Sequence, residues 1–444
     1  MNSKNIGVLG GGLSGISKAL ELEGMGHKVH LIESADQLGG VIQSVEKDGF
    51  LLDYGANTLS LRLERTAKTL DSCGVLPHAL EANPEANKRF IVRKGQLIAL
   101  PTSPLGFFGS QFLSPLGKVR LLLEPFLPKG KSTLNESVAE FIVRRLGKEA
   151  LDYCMNPFVS GVYASKPESL SLAHAFPSLM RMENEHRSLF LGLLSKKSRE
   201  GRLPKTRLIS FERGMKELID RMADHIKGKI SLGCQVREIH RLENRWKVLV
   251  QNKDESELEP VFDEIICTLP SHSLSNITWK NLKSAEKIEQ VSDTQEYPLN
   301  LVYLGFDESQ VRHPLDGFGF LVPECEKLNI LGSLFSSTLF PGRSPKGKVL
   351  LTTFVGGERM PELTQLSDNR TYQLVLSELT KLLGITGEPC FRHLKRWSRG
   401  IPLPDSKMRG RIEARNSIEK LNPGLFLTGA HLTGVSLPNC IDGT

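Results

Sequence analysis

The stretch NIGVLGGGLSGISKALELEGMGHKVHLIES, residues 5–34, predicts the fold of the first part of the chain. A short apolar strand leads into a loop that contains Gly10, Gly12 and Gly15, and an amphipathic helical pattern follows the loop. A second apolar strand then ends at the acidic Glu33. A dinucleotide-binding βαβ unit typically has this order of elements: a strand, a G-x-G-x-x-G loop, a helix, a second strand and an acidic residue. The stretch therefore predicts a Rossmann-like domain in an α/β fold.

Each glycine of this loop has a physical role in binding a dinucleotide. Gly10 permits a tight turn, Gly12 lets a pyrophosphate approach the backbone, and Gly15 allows the helix to pack closely on the strand. The helix N-terminus presents N–H groups to the negative charge. Glu33 lies ~20 residues further on and can accept a hydrogen bond from a ribose hydroxyl. The simpler alternative is a glycine turn that binds nothing.

Length and composition predict a soluble, globular protein of more than one domain. The chain has 444 residues, which exceeds the size at which a single hydrophobic core stops growing. Its formal charge of +7 is spread along the chain, and clusters such as residues 195–202 (SKKSREGR) are short. We therefore expect no nucleic-acid partner, and leave open a weak attraction to acidic lipids or to an acidic substrate.

The cysteines and the N-terminus predict a cytoplasmic location. Seven scattered cysteines show no C-x-x-C spacing, and no H-E-x-x-H motif occurs, so we expect neither a disulfide framework nor a metal site. The chain enters a strand almost at once, without the charged and apolar segments of a leader. No run approaches the ~18 apolar residues that span a bilayer. Any membrane contact is therefore expected to be peripheral, on the inner face of the cell membrane.

The remaining pattern predicts three units. Residues 88–104 resemble a β-hairpin with a turn at Lys94 and Gly95, and residues 105–203 are helical with many prolines. Strand and helix patterns return after residue 207, and residues 297–356 are rich in strands. We expect a discontinuous nucleotide-binding domain, a mixed-sheet substrate-binding domain, and a helical insertion on the membrane and substrate side. The nucleotide-binding domain is predicted to comprise residues 1–87, 205–285 and 390–444. The substrate-binding domain comprises residues 88–104 and 286–389, and the helical insertion comprises residues 105–204.

A second glycine pair, Gly39 and Gly40, follows soon after Glu33. This pattern resembles FAD enzymes of the amine-oxidase type, in which the pair helps to hold the pyrophosphate, and it favours FAD over NAD. The chain departs from the family at Gln37, where an arginine is usual. That exchange removes a cation near the phosphates and is expected to weaken FAD binding.

Motifs along essentially the whole chain resemble the oxygen-dependent protoporphyrinogen and coproporphyrinogen oxidases. The motifs that carry the resemblance are GGGLSG, LGG, FVSGVYASKPESLSLAHAFPSL, SFERGMKEL, GFGFLVP, LGSLFSSTLFPGR, LLTTFVGG and GLFLTGAHLTGVSLPNCI. The combination of GFGFLVP with FSSTLFPGR is specific to these oxidases among their relatives.

The resemblance implies a set of FAD-binding residues. Ala56 stands where the family usually has proline, which loosens the loop around it. Trp397 taken alone would more often be a core residue. The implied FAD-binding residues are Gly10, Gly11, Gly12, Leu13, Ser14, Gly15, Glu33, Ser34, Gly39, Gly40, Gly55, Ala56, Asn57, Thr58, Val236, Trp397, Val435, Ser436 and Leu437.

The resemblance also implies a substrate site with apolar walls and one cation. Arg89 matches an anchor for a propionate group, which a guanidinium can bind with two parallel hydrogen bonds. The implied wall residues are Phe318, Leu321, Leu334 and Phe354, each of which the pattern alone would make a buried strand residue.

The implied reaction needs no catalytic side chain, because flavin N5 accepts hydride from a methylene bridge of the porphyrinogen. In agreement, the sequence shows no paired carboxylates and no His/Asp arrangement. The resemblance implies a six-electron oxidation with oxygen as the final acceptor and hydrogen peroxide as a product. The choice between protoporphyrinogen and coproporphyrinogen stays open, and so does a homodimer.

Two other classes of protein remain as alternatives. One is another flavoenzyme of the same fold, such as an amine oxidase or a carotenoid desaturase, although the C-terminal aromatic pair of the amine oxidases is missing around Ala430 and Leu432. The other is a non-catalytic protein that binds flavin and porphyrin, which Gln37 and Ala56 would suit. Because the sequence ends at Thr444, soon after the motif that opens the family's final helix, we expect either a truncated record or weak FAD retention.

Overall fold

A five-stranded parallel sheet forms the centre of the nucleotide-binding part of the molecule. The computed structural model describes residues 3–61, 64–130, 135–199 and 207–443. Ile6, Val8 and Leu9 of the first strand are fully buried, as expected for a strand that is covered on both faces. The strands lie in the order Lys229–Ser231, Lys28–Ile32, Asn5–Leu9, Glu264–Cys267 and Leu425–Leu427. They come from distant parts of the chain, which confirms the predicted discontinuous Rossmann-like fold.

The first helix, Leu13–Gly24, packs on this sheet through Leu13, Ile16 and Ala19. The helix Leu437–Asp442 packs against it in turn. Ser17 Oγ donates a hydrogen bond of 2.7 Å to the carbonyl oxygen of Ile441. Two segments from opposite ends of the sequence therefore lie beside the glycine loop.

A seven-stranded mixed sheet forms the second large unit. Its strands lie in the order Phe391–Trp397, Leu299–Asp307, Lys348–Gly356, Gly332–Phe335, Gly317–Leu321, Lys88–Arg93 and Gln96–Ala99. The helix Asp368–Leu383 covers one face, where Val375 and Leu379 pack in the same apolar cluster as Val302 and Phe306. The opposite face is turned toward the nucleotide-binding part.

The strand Phe391–Trp397 differs from the predicted division of the chain. The sequence groups residues 390–444 with the nucleotide-binding segments, whereas this strand pairs antiparallel with Leu299–Asp307 at the edge of the seven-stranded sheet. Strand pairing between distant segments is decided by tertiary contacts that a local pattern does not carry.

The predicted hairpin of residues 88–104 is present. Lys88–Arg93 and Gln96–Ala99 are its strands, and the turn between them is formed by Lys94 at φ 51° and Gly95 at φ 72°. Two consecutive positive φ values give the twist that joins two adjacent antiparallel strands.

The insertion predicted to be helical forms a bundle of short helices around Val138, Phe141 and Ile142. A single π-helical turn, Leu151–Met155, interrupts the bundle. The basic cluster at residues 195–202 lies in part outside the described residues. The helices of this region are Pro104–Gly109, Pro115–Leu122, Val138–Leu146, Lys148–Ala150, Asn156–Tyr163, Leu172–Ala175, Pro177–His186 and Leu189–Arg199, with 3₁₀ turns at Glu124–Phe126 and Pro167–Ser169.

Smaller elements connect these units. A two-stranded hairpin consists of Ser44–Lys47 and Phe50–Asp53. A three-stranded sheet consists of Leu59–Leu61, Arg207–Phe211 and Ala79–Glu81. A second five-stranded sheet consists of Glu257–Leu258, Trp246–Asn252, Cys234–Arg241, Thr278–Lys280 and Val261–Phe262. The other helices are Glu64–Ser72, Lys216–Ala223, Ser271–Leu274, Lys287–Ser292, Ser336–Leu339, Met408–Leu421 and Ala430–Thr433, with 3₁₀ turns at Leu76–His78, Glu308–Gln310, Glu324–Glu326 and Pro361–Gln365. Among the helices that the structure describes, none has both the length and the apolar composition needed to cross a bilayer.

Candidate functional site

The glycine loop is shaped by three different requirements. Gly10 has φ +108°, a conformation that residues with a side chain rarely adopt. A Cβ atom on Gly15 would lie 1.9 Å from the carbonyl oxygen of Gly10, so only glycine lets the helix pack this close to the strand end. A Cβ atom on Gly12 would meet no protein atom within 4 Å. The protein itself therefore requires Gly10 and Gly15, whereas the backbone at Gly12 faces open space.

Glu33 lies against the same loop. Its Oε2 accepts a hydrogen bond of 2.6 Å from the N–H of Gly11, and its Oε1 accepts one of 2.8 Å from the N–H of Ala35. Ser34 Oγ donates to Oε1 at 3.1 Å. The N–H of Cys234 donates to the carbonyl of Glu33 at 2.8 Å, which brings the strand that carries Val236 to this edge of the sheet. The predicted ribose and adenine contacts are thus neighbours.

The second glycine pair is joined directly to the first loop. The N–H of Gly39 donates to the carbonyl of Gly11 at 2.8 Å, and Gly12 and Gly39 form a parallel bridge. A Cβ atom on Gly40 would lie 3.5 Å from Gly12 Cα. Gln37, at the position of the missing arginine, is exposed.

These residues fit the adenosine and pyrophosphate parts of FAD. Gly12 has no side chain that could cap the helix Leu13–Gly24, so the N–H groups of the first turn can face a ligand. The two glycine segments leave backbone, without side chains, around the open space at Gly12. Glu33 supplies a carboxylate at the distance along the chain that a ribose contact requires.

The predicted flavin-side loop, residues 55–58, follows the hairpin strand that ends at Asp53. A Cβ atom on Gly55 would lie 2.2 Å from the carbonyl oxygen of Val41, so this loop packs against the chain just after Gly40. Asn57 Nδ2 donates to the carbonyl of Gly55 at 3.3 Å. The loop is thereby held next to the second glycine pair, and Ala56 and Thr58 lie within it half-buried.

Trp397 meets this loop from the seven-stranded sheet. Its Nε1 donates a hydrogen bond of 2.9 Å to the carbonyl of Tyr54, the residue before Gly55. The ammonium of Lys395 lies 4.3 Å from the centroid of the Trp397 ring and 5.0 Å from that of Tyr54. Tyr54 also bonds through its hydroxyl to Nε2 of His393 at 2.7 Å. Burial, with the nearby charges of Lys47 and Lys395, lowers the pKa of His393.

The last predicted FAD-binding residues open the C-terminal helix. Val435 and Ser436 precede the helix Leu437–Asp442, and Ser436 Oγ caps it by accepting a hydrogen bond of 3.2 Å from the N–H of Asn439. Since this helix packs on Leu13–Gly24, these residues lie beside the unit that carries the glycine loop.

Sequence reasoning missed Thr268 as a support of the glycine loop. Its Oγ1 lies 3.0 Å from the carbonyl oxygens of both Leu9 and Gly10 and can donate to either. The signal was present in FDEIICTLP, where a threonine directly follows a buried strand. In a parallel sheet such a position lies at the carboxyl edge, where ligands bind.

The predicted substrate residues are ordered by the register of the seven-stranded sheet. Phe354 is paired with Gly332, and Gly332 is paired with Leu321, so the three share one face. Leu334, two residues from Gly332, lies on that face too, because strand side chains alternate. Leu321 is also paired with Ile91, which places Arg89, two residues earlier, on the same face. Phe318 lies three residues before Leu321, and regular alternation would place it on the opposite face. The break in register between Gly317 and Phe320 interrupts that alternation, and Phe318 packs beside Leu334.

The two ends of this face have different surroundings. At one end the guanidinium carbon of the exposed Arg89 lies 5.3 Å from the centroid of the Phe318 ring. Phe318 and Leu334 pack together with Phe340 in one apolar cluster. At the other end Phe354 shares a cluster with Tyr54, Trp397 and Ala164. An apolar wall therefore extends from the predicted carboxylate anchor to the predicted flavin side.

The helix Asn156–Tyr163 approaches the same face from the helical insertion. A Cβ atom on Gly161 would lie 2.7 Å from Leu321 Cδ2. The nucleotide-binding part, the seven-stranded sheet and the insertion therefore meet around the predicted wall residues. A small cavity between the first two of these units is lined by both Asn57 and Leu334.

The chain belongs to the family of flavin-containing amine oxidoreductases, whose sequence model matches residues 13–443. It is therefore an oxidoreductase with FAD as its cofactor.

Whole-length relatives are consistent with the motifs. The chain is 34% identical over 467 residues to the mitochondrial protoporphyrinogen oxidase of Nicotiana tabacum, covering 98% of this chain and 92% of that protein. It is 27% identical over 459 residues to the coproporphyrinogen III oxidase of Bacillus subtilis (strain 168), covering 99% and 96%. These matches confirm the resemblance predicted from the sequence.

Solved structures confirm the fold. A candidate protoporphyrinogen oxidase from Exiguobacterium sp. 255-15 superposes with a TM-score of 0.81 at 23% identity, covering 100% of this chain and 97% of that one. A reduced UDP-galactopyranose mutase superposes with a TM-score of 0.74 at 16% identity, covering 99% and 93%. At these identities the likeness concerns the fold alone.

Proposed function

We propose that this protein is an oxygen-dependent porphyrinogen oxidase of haem biosynthesis. It removes six electrons from the substrate, and three molecules of oxygen are reduced to hydrogen peroxide for each porphyrin formed. The observation that carries the proposal is one apolar sheet face that joins Arg89 to the predicted flavin side, in a chain that matches porphyrinogen oxidases over its whole length.

Bound FAD supplies the acceptor for the hydride equivalents that leave the methylene bridges. The residues of the chain bind, orient and shield the substrate. Leu321, Leu334 and Phe354 provide a flat apolar wall for the macrocycle, and the helix Asn156–Tyr163 keeps water away from it. Arg89 is free to rotate its guanidinium toward a propionate and bind it with two hydrogen bonds. Such positioning is the main contribution that the protein needs to make.

Protoporphyrinogen IX is the better supported substrate, with protoporphyrin IX as its product. Coproporphyrinogen III carries propionates where protoporphyrinogen carries two vinyl groups, and each extra carboxylate needs a polar partner to leave water. The four predicted wall residues are all apolar. The tobacco relative named for protoporphyrinogen is 34% identical, against 27% for the Bacillus relative named for coproporphyrinogen III.

A parallel assay of both porphyrinogens tests the proposal. Protein saturated with FAD is mixed with each porphyrinogen in air, and porphyrin fluorescence, oxygen uptake and peroxide are followed together. We expect protoporphyrin IX to form faster than coproporphyrin III, with oxygen and peroxide in a one-to-one ratio. FAD-loaded protein that forms neither porphyrin above the rate of spontaneous oxidation would refute the proposed function.

We also propose a cytoplasmic protein that contacts the inner face of the cell membrane peripherally. Three side chains of the helical insertion support this, because Leu105, Leu116 and Phe126 are 87%, 82% and 83% exposed. Exposed apolar side chains of this size suit the apolar boundary of a lipid surface. Sedimentation with anionic and with neutral vesicles tests the contact, and light scattering at rising protein concentration shows whether a homodimer covers these side chains instead.

We also propose the predicted assignment of segments to FAD binding and to substrate binding, with one change. Residues 1–87 and 205–285, together with the segment after Trp397, would bind FAD, and residues 88–104 with 286–389 would bind the substrate. The strand Phe391–Trp397 joins the substrate-binding sheet.

A further inference from the structure

Asp53, two residues before the flavin-side loop, is part of a buried ion pair. Asp53 is 4% exposed and its partner Arg343 is 2% exposed. Arg343 Nη2 lies 3.3 Å from Asp53 Oδ2. Asp53 Oδ1 accepts hydrogen bonds from Ser44 Oγ at 2.6 Å and from the N–H of Met215 at 2.8 Å. The carboxylate is therefore surrounded by donors from the paired strand of its own hairpin and from two distant segments.

Arg343 extends this network beyond Asp53. Its Nη2 donates to Ser210 Oγ at 2.6 Å and its Nη1 to the carbonyl of Phe211 at 3.1 Å. Its own carbonyl accepts a hydrogen bond of 3.2 Å from the N–H of Leu51. The loop after the short helix Ser336–Leu339 is thus tied to the hairpin that leads into the flavin-side loop.

The backbone beside Asp53 is fixed from the seven-stranded sheet as well. The Asp53 carbonyl accepts a hydrogen bond of 2.6 Å from the hydroxyl of the fully buried Tyr303. The next carbonyl, that of Tyr54, is the acceptor for Trp397 Nε1. Consecutive peptide groups just before Gly55 are therefore anchored to two strands of one sheet.

The ion pair also lies beside the predicted substrate wall. Asp53 and Arg343 line the small cavity that is shared by Asn57 of the flavin-side loop and Leu334 of the wall. Thr352, which is paired with Leu334 in the sheet, lines it too. One buried network thus lies between the loop and the wall.

Buried ion pairs often add little net stability, because the cost of removing both charges from water offsets their attraction. Replacing such a pair by neutral groups of similar size is often neutral or even stabilising. A role in fixing the position of the flavin-side loop explains the network better than a role in stability.

We propose that Asp53 and Arg343 are positioning residues that hold the flavin-side loop against the substrate sheet and so set the affinity for FAD. This inference rests on the proposed placement of FAD at residues 55–58 and does not depend on the identity of the substrate. Its readout is the binding of FAD to the protein. A wrong substrate assignment would leave that readout unchanged, and so the two proposals fail in different experiments.

The test compares three variants at the pair with one control. Arg343→Met leaves the Asp53 carboxylate without its cation, and Arg343→Lys keeps the charge without the fork. The double variant Asp53→Asn/Arg343→Met removes both charges. Arg145→Met is the matched control, because Arg145 and Glu124 form an equally buried pair in the helical insertion, 1% and 0% exposed.

For each variant, fluorescence titration gives the dissociation constant of FAD, and circular dichroism gives the Tm of the FAD-free protein. The visible circular dichroism spectrum of bound FAD is recorded at saturation. We expect Arg343→Met to lower Tm and to weaken FAD binding by about 10- to 100-fold. Arg343→Lys should weaken binding to an intermediate degree. The double variant should recover most of the Tm and still bind FAD at least about tenfold more weakly, with an altered flavin spectrum.

The control separates positioning from stability. Arg145→Met should lower Tm as much as Arg343→Met while changing FAD affinity less than about threefold. If affinity follows Tm in all variants, so that the double variant recovers both, the network is structural and the proposal is wrong. If Arg343→Met fails to fold, the double variant and Arg343→Lys give the same decision.

Discussion

Replacing Gly12 with alanine separates the role of the glycine loop in binding FAD from its role in folding. The added Cβ atom would meet no protein atom within 4 Å, and Gly12 has φ −72°, which alanine adopts freely. The remaining effect on folding is the loss of a favourable N-cap residue, which costs below about 1 kcal/mol. The Tm of the FAD-free protein should therefore stay close to that of the wild type.

The effect of Gly12→Ala on FAD binding should be much larger. The methyl group occupies the space through which the pyrophosphate approaches the helix N-terminus. Losing one charge-assisted hydrogen bond to a phosphate costs about 1.5–3 kcal/mol, which raises the dissociation constant by about 10- to 100-fold. Quenching of FAD fluorescence during titration with the FAD-free protein measures this constant.

Gly15→Ala is the informative comparison. Its Cβ would lie 1.9 Å from the Gly10 carbonyl oxygen, whereas ordinary contacts begin near 3.4 Å, so the helix and the loop must separate by about 1.5 Å. Overpacking of this kind costs about 1–3 kcal/mol, and both Tm and FAD affinity should fall. Gly24→Ala, where a Cβ also meets nothing within 4 Å, should leave FAD affinity unchanged and leave Tm equal to that of the wild type or slightly higher, because alanine is the better helix former. Gly12→Ala protein that binds FAD within about twofold of the wild type would refute this account of the loop.

Three further changes test other parts of the site. Arg89→Ala should raise KM for the porphyrinogen by about tenfold with FAD content unchanged, because a charge-assisted hydrogen bond is lost, while Lys88→Ala, whose side chain pairs with Asp316, should leave KM unchanged. Trp397→Phe removes the bond to the carbonyl of Tyr54 and should weaken FAD binding by about fivefold, as seen by titration; unaltered affinity would remove Trp397 from the support of the loop. Burial lowers the pKa of His431 to about 4, so the folded state stays neutral while the unfolded state takes up a proton below pH ~6.5. The free energy of unfolding should therefore fall by up to about 2 kcal/mol as the pH drops from 6.5 to 5. In urea unfolding, His431→Gln should lose less of this free energy over that pH range than the wild type does, and less than the exposed control His225→Gln.

The sequence predicted best what depends on local pattern. The motif of Gly10, Gly12 and Gly15 predicted the first βαβ unit because each glycine answers a local steric requirement. The Lys94–Gly95 turn was predicted for the same reason, since two residues with positive φ specify a tight hairpin. Family resemblance added Trp397, which the structure places against the residue before Gly55.

Contacts between distant segments were beyond the reach of the sequence. Nothing near Asp53 indicates that its partner is Arg343, because the two meet only when the hairpin and the seven-stranded sheet pack together. The edge position of Phe391–Trp397 likewise follows from pairing with Leu299–Asp307. The break in register near Phe318 also depends on pairing, and it brings Phe318 beside Leu334, although regular alternation would have placed it on the opposite face from Leu321.

The composition of the parallel sheet has a consequence for the biosynthesis of the protein. The strand Asn5–Leu9 is paired with Glu264–Cys267, which is itself paired with Leu425–Leu427. A ribosome therefore has to synthesise residue 427 before the last strand of this sheet can join it. Pairing over such sequence separations is slow, and the early segments stay exposed while they wait. The sheet that the early βαβ unit begins would therefore be completed among the last parts of the fold, and FAD would enter a site whose supporting sheet is complete only after residue 427 has been synthesised.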